Sequence, residues 1–358
     1  MHLRILFLIL LIFESACALE KEPLNAFFWL NNETQEEIDL EEDCQSFILE
    51  TKRILLKEYE HAFNPGIVRW KGQLLLSFRI IPNPLFTFNS QIGFVLLDDD
   101  FNPNSKPQIL DTQDSSTLVP SRAEDGRLIV IGEKLYLVYS DNKDDYISKG
   151  GFRVYISEID YKNNQFVVVQ TDCIKEFEGA NPYLREKNWV PFNYQGNMML
   201  AYSLMPHTIF QHFHGTNKCE TIATSQSKIA WEFGELRGGT PAILDGDQYI
   251  SFFHSSIDLL SVYSNKRCIA HYFMGAYTFS STPPFKINKI SPRPIVGKGF
   301  YKGVYYKYYW KSVRCVFPCG ILIEEPYIYA SYGRQDHEMW IVKIDKQELL
   351  DSLVDCQD

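Results

Sequence analysis

A strand-turn-strand pattern recurs five times along this chain and constrains its fold more than any other feature. Each copy has a short polar or Gly/Pro lead, an apolar strand, a tight turn, and a second strand that usually ends in an aromatic and a polar residue. The copies lie at residues 64–79, 124–140, 187–203, 238–254 and 317–333. A long chain of loosely periodic strand repeats is typical of a β-propeller. The pattern therefore predicts an all-β, five-bladed β-propeller whose five leads meet at the mouth of one central channel.

The composition allows one large domain and argues against nucleic acid as the main partner. The chain has 358 residues, of which 45% are hydrophobic and 15% aromatic. This is enough apolar surface for a sizeable core, and nothing in it requires a second domain. The formal net charge is −10, whereas binding to phosphate backbones needs a basic face.

The amino terminus has the pattern of an export signal. His2 and Arg4 precede the apolar run 5–13, and Ala16-Cys17-Ala18 fits a cleavage site with small residues. The run is too short to cross a bilayer, so no membrane span is expected. We predict a signal peptide at 1–18, an acidic arm with a short helix at 19–60, and the propeller at 61–358. The mature protein is then secreted, periplasmic or in the lumen of the secretory pathway.

The cysteine and histidine spacings predict no metal site. Removal of the leader leaves seven of the eight cysteines. Cys315 and Cys319 are one residue too far apart for a CxxC pair, and the histidines at 207, 212 and 214 fit no usual ligand set and are expected in a solvated loop. Export permits disulfides, and a bond between Cys44 and Cys356 is the favoured pairing.

Charged and polar residues gather at the blade leads. They are Glu124, Asp125, Lys187, Asn188, Arg237, His254, Arg314 and Asp336. A funnel with a few carboxylates and several cations suits a polyhydroxylated substrate, with or without an anion. A carboxylic acid there can protonate a glycosidic oxygen, and the cations can hold a phosphate. Taken singly, a Glu-Asp pair can also be a turn, and a histidine after two phenylalanines can belong to the core.

At these leads the chain resembles glycoside hydrolase family 130, which contains mannoside phosphorylases and some hydrolases on a five-bladed propeller. Ser121-Arg-Ala-Glu-Asp-Gly-Arg-Leu128 is similar to the family's R-x-E-D-P-R motif, although Gly126 stands where the family has proline. Lys187-Asn-Trp-Val-Pro-Phe192 matches its K-N-W-x-P-F motif. Five further phrases follow in family order, at 237–241, 253–254, 272–276, 291–295 and 317–336. The resemblance covers about residues 61–345.

The resemblance implies a role for individual residues. Asp125 matches the general acid, which acts through a sugar hydroxyl. The phosphate-binding positions of the phosphorylases correspond to Arg153, Lys187, His254 and Tyr272. Sugar-contacting positions correspond to Asn64, Arg79, Asn188 and Asp336, and their places at blade leads add Glu124 and Arg237 as substrate-binding candidates. No cofactor is expected, and inorganic phosphate is the possible co-substrate of an inverting reaction.

Several activities remain open at this point. A hydrolase needs a second carboxylate to activate water, and an export signal is atypical of phosphorylases, which usually act in the cytoplasm. Related propellers are β-1,2-mannosyltransferases. A non-catalytic carbohydrate-binding propeller would keep Asp125 as a sugar contact. We therefore expect a glycosidase or an inverting glycoside phosphorylase acting on β-mannosides, with the transferase and the binding protein as alternatives.

Overall fold

The computed structural model describes residues 37–83, 89–113, 119–143, 151–303 and 312–357, and these residues are built almost entirely of strands. The amino-terminal strand is β1 (Ile48–Ile54). The first blade contains β2 (Phe63–Trp70), β3 (Gln73–Ile80), β4 (Gln91–Leu97) and β5 (Gln108–Ile109). The second contains β6 (Glu124–Ile131), β7 (Lys134–Asp141), β8 (Arg153–Lys162) and β9 (Gln165–Cys173).

The third blade contains β10 (Val190–Tyr194), β11 (Asn197–Leu204), β12 (His207–His212) and β13 (Cys219–Ser225). The fourth contains β14 (Arg237–Gly238), β15 (Ile243–Asp245), β16 (Gln248–Leu259), β17 (Ile269–Ser280) and β18 (Ile287–Ile290). The fifth contains β19 (Val313–Glu324), β20 (Tyr327–Arg334) and β21 (Glu338–Asp345). The helix α1 (Lys346–Ser352) and β22 (Val354–Asp355), which pairs with β18, end the described chain.

Antiparallel pairing of consecutive strands makes each blade. The first three blades are separate four-stranded sheets. Blades four and five share one continuous sheet, because β17 pairs in parallel with β19 over Ala270–Tyr272 and Val313–Cys315. The predicted all-β, five-bladed β-propeller is therefore confirmed, and each of the five repeated phrases forms the opening strands of one blade.

The helix predicted within residues 19–60 is wrong over 48–54, which form β1. This strand pairs antiparallel with β21, from Ile48 opposite Ile344 to Ile54 opposite Met339. The apolar spacing of the segment fits a helix locally. However, the open edge of the last blade offers unpaired backbone groups, and such tertiary pairing overrides the weak helix propensity. The amino-terminal strand thus completes the blade made by the carboxy-terminal strands.

The predicted disulfide between Cys44 and Cys356 is also wrong. Cys44 donates its thiol to the carbonyl oxygen of Glu41, close to the segment around Val296. Cys356 lies beside Asn288 and packs against the core between blades three and four. Neither Cys44 nor Cys356 forms a disulfide bond. No helix in the described part of the chain combines the length and apolar character that crossing a membrane requires.

The innermost strands come into close contact near the channel. A Cβ atom on Gly66 of β2 would collide with the carbonyl oxygen of Gly126 on β6. Ser77 closes the same contact from β3, because its hydroxyl donates to the Gly126 carbonyl at 2.7 Å. Glycine is needed here because two backbones approach without room for a side chain. This packing fixes the position of the second blade's lead relative to the first blade.

Candidate active site

Three successive blades present a polar residue with left-handed backbone at the same place. Asn64, Asp125 and Asn188 have φ angles of 47°, 54° and 63°. In the first two blades this residue lies in a β-bulge, since the pairing register shifts between 63 and 66 and between 124 and 127. Asn and Asp tolerate this conformation better than other non-glycine residues. Bulges of this kind re-aim a side chain at a functional site.

Asp125 is the centre of a buried polar cluster. Its Oδ1 accepts hydrogen bonds from Asn64 Nδ2 at 2.8 Å and from an Arg79 terminal nitrogen at 3.1 Å. The other terminal nitrogen of Arg79 donates to Glu124 Oε1 at 2.9 Å, and Lys187 Nζ bonds the second oxygen of Glu124 at 2.5 Å. The structure therefore brings together five sequence-predicted residues from blades one, two and three.

Arg127 is the residue of this cluster that the sequence interpretation missed. It is fully buried and donates to the carbonyl oxygens of Asp125, Gly238 and Gly239 and to Asn188 Oδ1. One side chain thus joins the leads of blades two, three and four beneath Asp125. The sequence contained a signal for it, because Arg127 is the last arginine of the R-x-E-D-x-R phrase.

The surrounding cations keep Asp125 ionised. Burial alone would raise the pKa of this carboxyl, but the charge of Arg79, the hydrogen bond from Asn64 and the charges of Arg127 and Lys187 outweigh it. The pKa of Asp125 therefore lies below its ordinary value. A carboxylate in this state needs a change in its surroundings, such as the arrival of substrate, before it can act as an acid.

A second group of residues lies on blades four and five. His254 stacks against Tyr272, with ring centroids 6.2 Å apart and an interplanar angle of 20°, and pairs across the strands with Arg237. Burial and the charges of Arg127 and Arg237 lower the pKa of His254 to about 3. Burial, with the charges of Cys315 and Asp336, raises the pKa of Tyr272 to about 12. Both rings are thus neutral hydrogen-bonding groups at physiological pH.

The remaining predicted residues lie at the edge of this group. Asp336 has a φ of 56° in the turn after β20, is half-buried, and helps to hold the pKa of Arg79 above its usual range against the effect of burial. Arg237 is exposed and forms an ion pair with Glu235 at 2.7 Å. Asp336 therefore acts electrostatically on Arg79 of the buried cluster, and Arg237 acts on His254 and Tyr272.

Arg153 is placed differently from the other predicted phosphate ligands. Its guanidinium donates to the carbonyl oxygens of Phe152, Pro182 and Leu184. These contacts lie in the connection between blades two and three, and the side chain lines a cavity there together with Glu186. The family resemblance predicts Arg153 as a phosphate ligand, whereas the contacts of its side chain depend on a loop whose path the sequence does not give.

Polar atoms in the cluster are left without partners. Asn64 Oδ1, Arg79 Nε and His254 Nδ1 are buried and form no hydrogen bond among the described residues. Buried polar groups are nearly always paired, and exceptions concentrate at functional sites. The unpaired atoms lie on both groups of residues, so they indicate where a polar ligand can bind.

The histidines at 207, 212 and 214 lie on or beside β12. His207 Nδ1 bonds the Phe285 carbonyl at 2.7 Å, and His212 Nε2 bonds Asp172 Oδ2 at 3.0 Å. Both rings are buried, so the expected solvated loop is wrong for these two. Among the described residues, no cluster of His, Cys, Asp and Glu has the arrangement of a metal site.

Comparison with known proteins assigns the chain to a family. The family described as β-1,4-mannooligosaccharide phosphorylase matches residues 31–355. The chain belongs to glycoside hydrolase family 130. The resemblance found at the blade leads is therefore confirmed. Membership of family 130 makes the chain a relative of enzymes that cleave mannosides by phosphorolysis or hydrolysis.

Solved family 130 structures share the fold. A β-1,2-mannobiose phosphorylase from Listeria innocua is 15% identical with a TM-score of 0.55, covering 84% of this chain and 92% of its own. A mannose phosphorylase from Leishmania mexicana in complex with phosphate is 13% identical with a TM-score of 0.58, covering 87% and 92%. A glycosyl hydrolase from Bacteroides ovatus is 13% identical with a TM-score of 0.56, covering 80% and 85%. A search of curated proteins found no match.

Proposed function

We propose that this chain cleaves a β-mannosidic bond with inversion, using Asp125 as the acid and inorganic phosphate as the acceptor. The observation that supports this most directly is the burial of Asp125, which accepts hydrogen bonds from Asn64 and Arg79. Because both hydrogen bonds reach Oδ1 of Asp125, the rest of the carboxyl group can face a sugar. The proposed reaction requires no cofactor.

The proton passes through a sugar hydroxyl in the proposed reaction. Asp125 gives its proton to that hydroxyl, and the hydroxyl gives its own to the glycosidic oxygen. The bond between the anomeric carbon and this oxygen breaks, and the oxygen keeps the electron pair. Binding of a phosphate anion near Lys187 would offset the cations that hold Asp125 ionised. The acid can then be protonated in the complex although it is ionised in the free chain.

Phosphate is the acceptor that the charges favour. Lys187 and His254 are within electrostatic reach of Asp125, and Arg237 and Tyr272 adjoin His254. Cations and neutral donors of this kind are the usual ligands of phosphate oxygens. A phosphate oxygen attacks the anomeric carbon from the face opposite the leaving oxygen. The products are an α-mannosyl phosphate and the shortened glycan. Arg153 is left out of this proposal because its guanidinium is bonded to backbone carbonyls.

Hydrolysis is the second candidate, and the position of Asp336 favours it. This carboxylate is close enough to Arg79, Tyr272 and Cys315 to affect the pKa of each. A second carboxylate beside the site is what an inverting hydrolase needs to activate water. In this case Asp336 would be the base and Asp125 would remain the acid.

Product analysis with and without phosphate tests the proposal. The purified mature chain is incubated with β-1,4- and β-1,2-linked manno-oligosaccharides, and products are identified by mass spectrometry. We expect a hexose phosphate that forms in the presence of phosphate, with turnover at least tenfold slower without it. Equal release of free mannose in both conditions would instead establish hydrolysis and direct attention to Asp336. No cleavage of any mannoside would refute both.

We also propose that the chain is exported and cleaved after Ala18. The apolar run and the small residues at 16–18 support this, and they lie outside the described residues. Sequencing the amino terminus of the mature protein is expected to give Leu19 as the first residue. Retention of Met1 or His2 would contradict export by a cleaved signal.

A further inference from the structure

The cavity lined by Arg153 and Glu186 lies at the connection between blades two and three. It has a volume of about 200 Å³, and its lining includes Arg153, Lys175, Phe177, Asn181 and Glu186. The connection from β9 to β10 forms much of its wall. This same connection continues into Lys187, whose Nζ bonds Glu124. Glu186, which lines the cavity, and Lys187, which contacts the Asp125 cluster, are therefore consecutive residues in the chain.

Glu186 is the residue that marks the cavity as a binding site. Its side chain is buried, with 5% of the residue exposed, and its Oε1 has no hydrogen-bond partner among the described residues. Its Oε2 accepts a hydrogen bond from Trp189 Nε1 at 3.3 Å, and Phe177 packs edge-on against the Trp189 ring at 5.1 Å. Glu186 is thus held firmly on one side. A buried carboxylate oxygen without a donor is costly unless a ligand supplies one.

The lining carries charged groups of both signs, which favours a neutral ligand with hydroxyl groups over a simple ion. A phosphate or other anion in the cavity would meet the Glu186 carboxyl, while a cation would meet Arg153 and Lys175. Hydroxyl groups satisfy both sides, because a hydroxyl donates to a carboxylate and accepts from an ammonium or amide. Phe177 adds an apolar wall, and Tyr183, next to the lining residue Pro182, is 71% exposed. Hydroxyls and an apolar ring face are the two features of a sugar.

We propose that this cavity binds one neutral hexose unit of an oligosaccharide whose adjoining units occupy the site at Asp125. The hexose donates a hydroxyl to Glu186 Oε1 and accepts from Lys175 or Asn181. The inference rests on the proposed function for the identity of the sugar, and on the geometry of the cavity for the existence of the site. It makes the substrate a glycan longer than a disaccharide.

Binding measurements on a chain that cannot turn over test the pocket. In the Asp125→Asn chain, dissociation constants for β-linked mannobiose and mannotriose, in both the 1,2 and 1,4 linkages, are measured by calorimetry. We expect mannotriose of one linkage to bind about tenfold more tightly than mannobiose. Glu186→Gln and, separately, Lys175→Ala are expected to remove most of this gain and to leave the mannobiose constant unchanged. Leu184→Ala, in the same connection but outside the lining, is the matched control and is expected to change neither constant.

The outcomes separate the pocket from the proposed function. A chain-length gain that survives both substitutions, an equal loss for mannobiose, or no binding of either series would overturn the pocket. Lys175 is exposed, so its variant keeps the test decisive if Glu186→Gln disturbs the fold. If the gain is lost as expected but the unsubstituted chain cleaves no mannoside, the pocket stands and the proposed cleavage fails. If the chain cleaves mannosides but binds mannotriose no more tightly than mannobiose, the proposed cleavage stands and the pocket fails.

Discussion

Replacement of Asp125 by asparagine is expected to lower kcat/KM for mannoside cleavage by about 10²- to 10⁴-fold, the usual contribution of a general acid. Asparagine has nearly the same shape and keeps an oxygen that accepts from Asn64 and Arg79. The fold and glycan binding should therefore persist, while the proton that the leaving oxygen needs is lost. Rates with phosphate and glycan, together with calorimetric binding, measure the two effects separately.

The matched control is Asp99→Asn, since Asp99 is an exposed carboxylate in an ion pair with Arg69. Activity within twofold of the unsubstituted chain is expected for this control. An Asp125→Asn chain that keeps its activity would remove Asp125 from the mechanism. If the unsubstituted chain binds glycans without cleaving them, and Asp125→Asn weakens that binding, the carboxyl is a sugar contact in a carbohydrate-binding propeller.

Acidification is expected to destabilise the folded chain steeply below pH 6.5 because of three buried histidines. Burial lowers the pKa of His207 and His271 to about 4 and that of His254 to about 3. The unfolded chain binds protons at these residues from about pH 6.5 downward, and the folded chain does not. Stability is therefore fully present above pH 6.5 and is lost as the pH falls toward 4. Each histidine costs up to about 1.4 kcal/mol per pH unit in this window.

The three together amount to about 4 kcal/mol per pH unit, a large fraction of the free energy of unfolding of an ordinary domain. The pKa values of Asp141 and Glu186 are raised by burial and act in the opposite sense. Denaturant unfolding at pH 7, 6 and 5 measures the net slope, and His207→Phe isolates one contribution. The phenyl ring preserves packing against Tyr277 and Phe279.

We expect His207→Phe to flatten the pH dependence of unfolding by up to about 1.4 kcal/mol per unit. His61→Gln, at an exposed histidine, is the control variant whose pH dependence is compared with that of His207→Phe. A slope equal to that of the unsubstituted chain in His207→Phe would show that His207 titrates alike in the folded and unfolded states.

The site was predicted from sequence where a local motif carries its own geometry. Asn64, Asp125 and Asn188 stand at bulges or turns that favour Asn and Asp. The place in the repeat indicated Asp125 and Asn188, and the family resemblance added Asn64. Arg127 lies in the R-x-E-D-x-R phrase but was not predicted as a site residue, because its role consists of hydrogen bonds to blades three and four. Such bonds depend on residues more than 60 positions away.

Periodicity along the chain was enough to predict the five-fold strand repeat, and hence the propeller, together with the polar residues at the blade leads. Periodicity and turn chemistry are local properties, so they survive without knowledge of the fold. The tertiary structure alone decided that residues 48–54 close the last blade as a strand and that Arg153 faces backbone carbonyls beside Glu186. Both depend on which distant backbone groups need a partner, and a side chain or edge strand satisfies those groups only after the chain has folded around them.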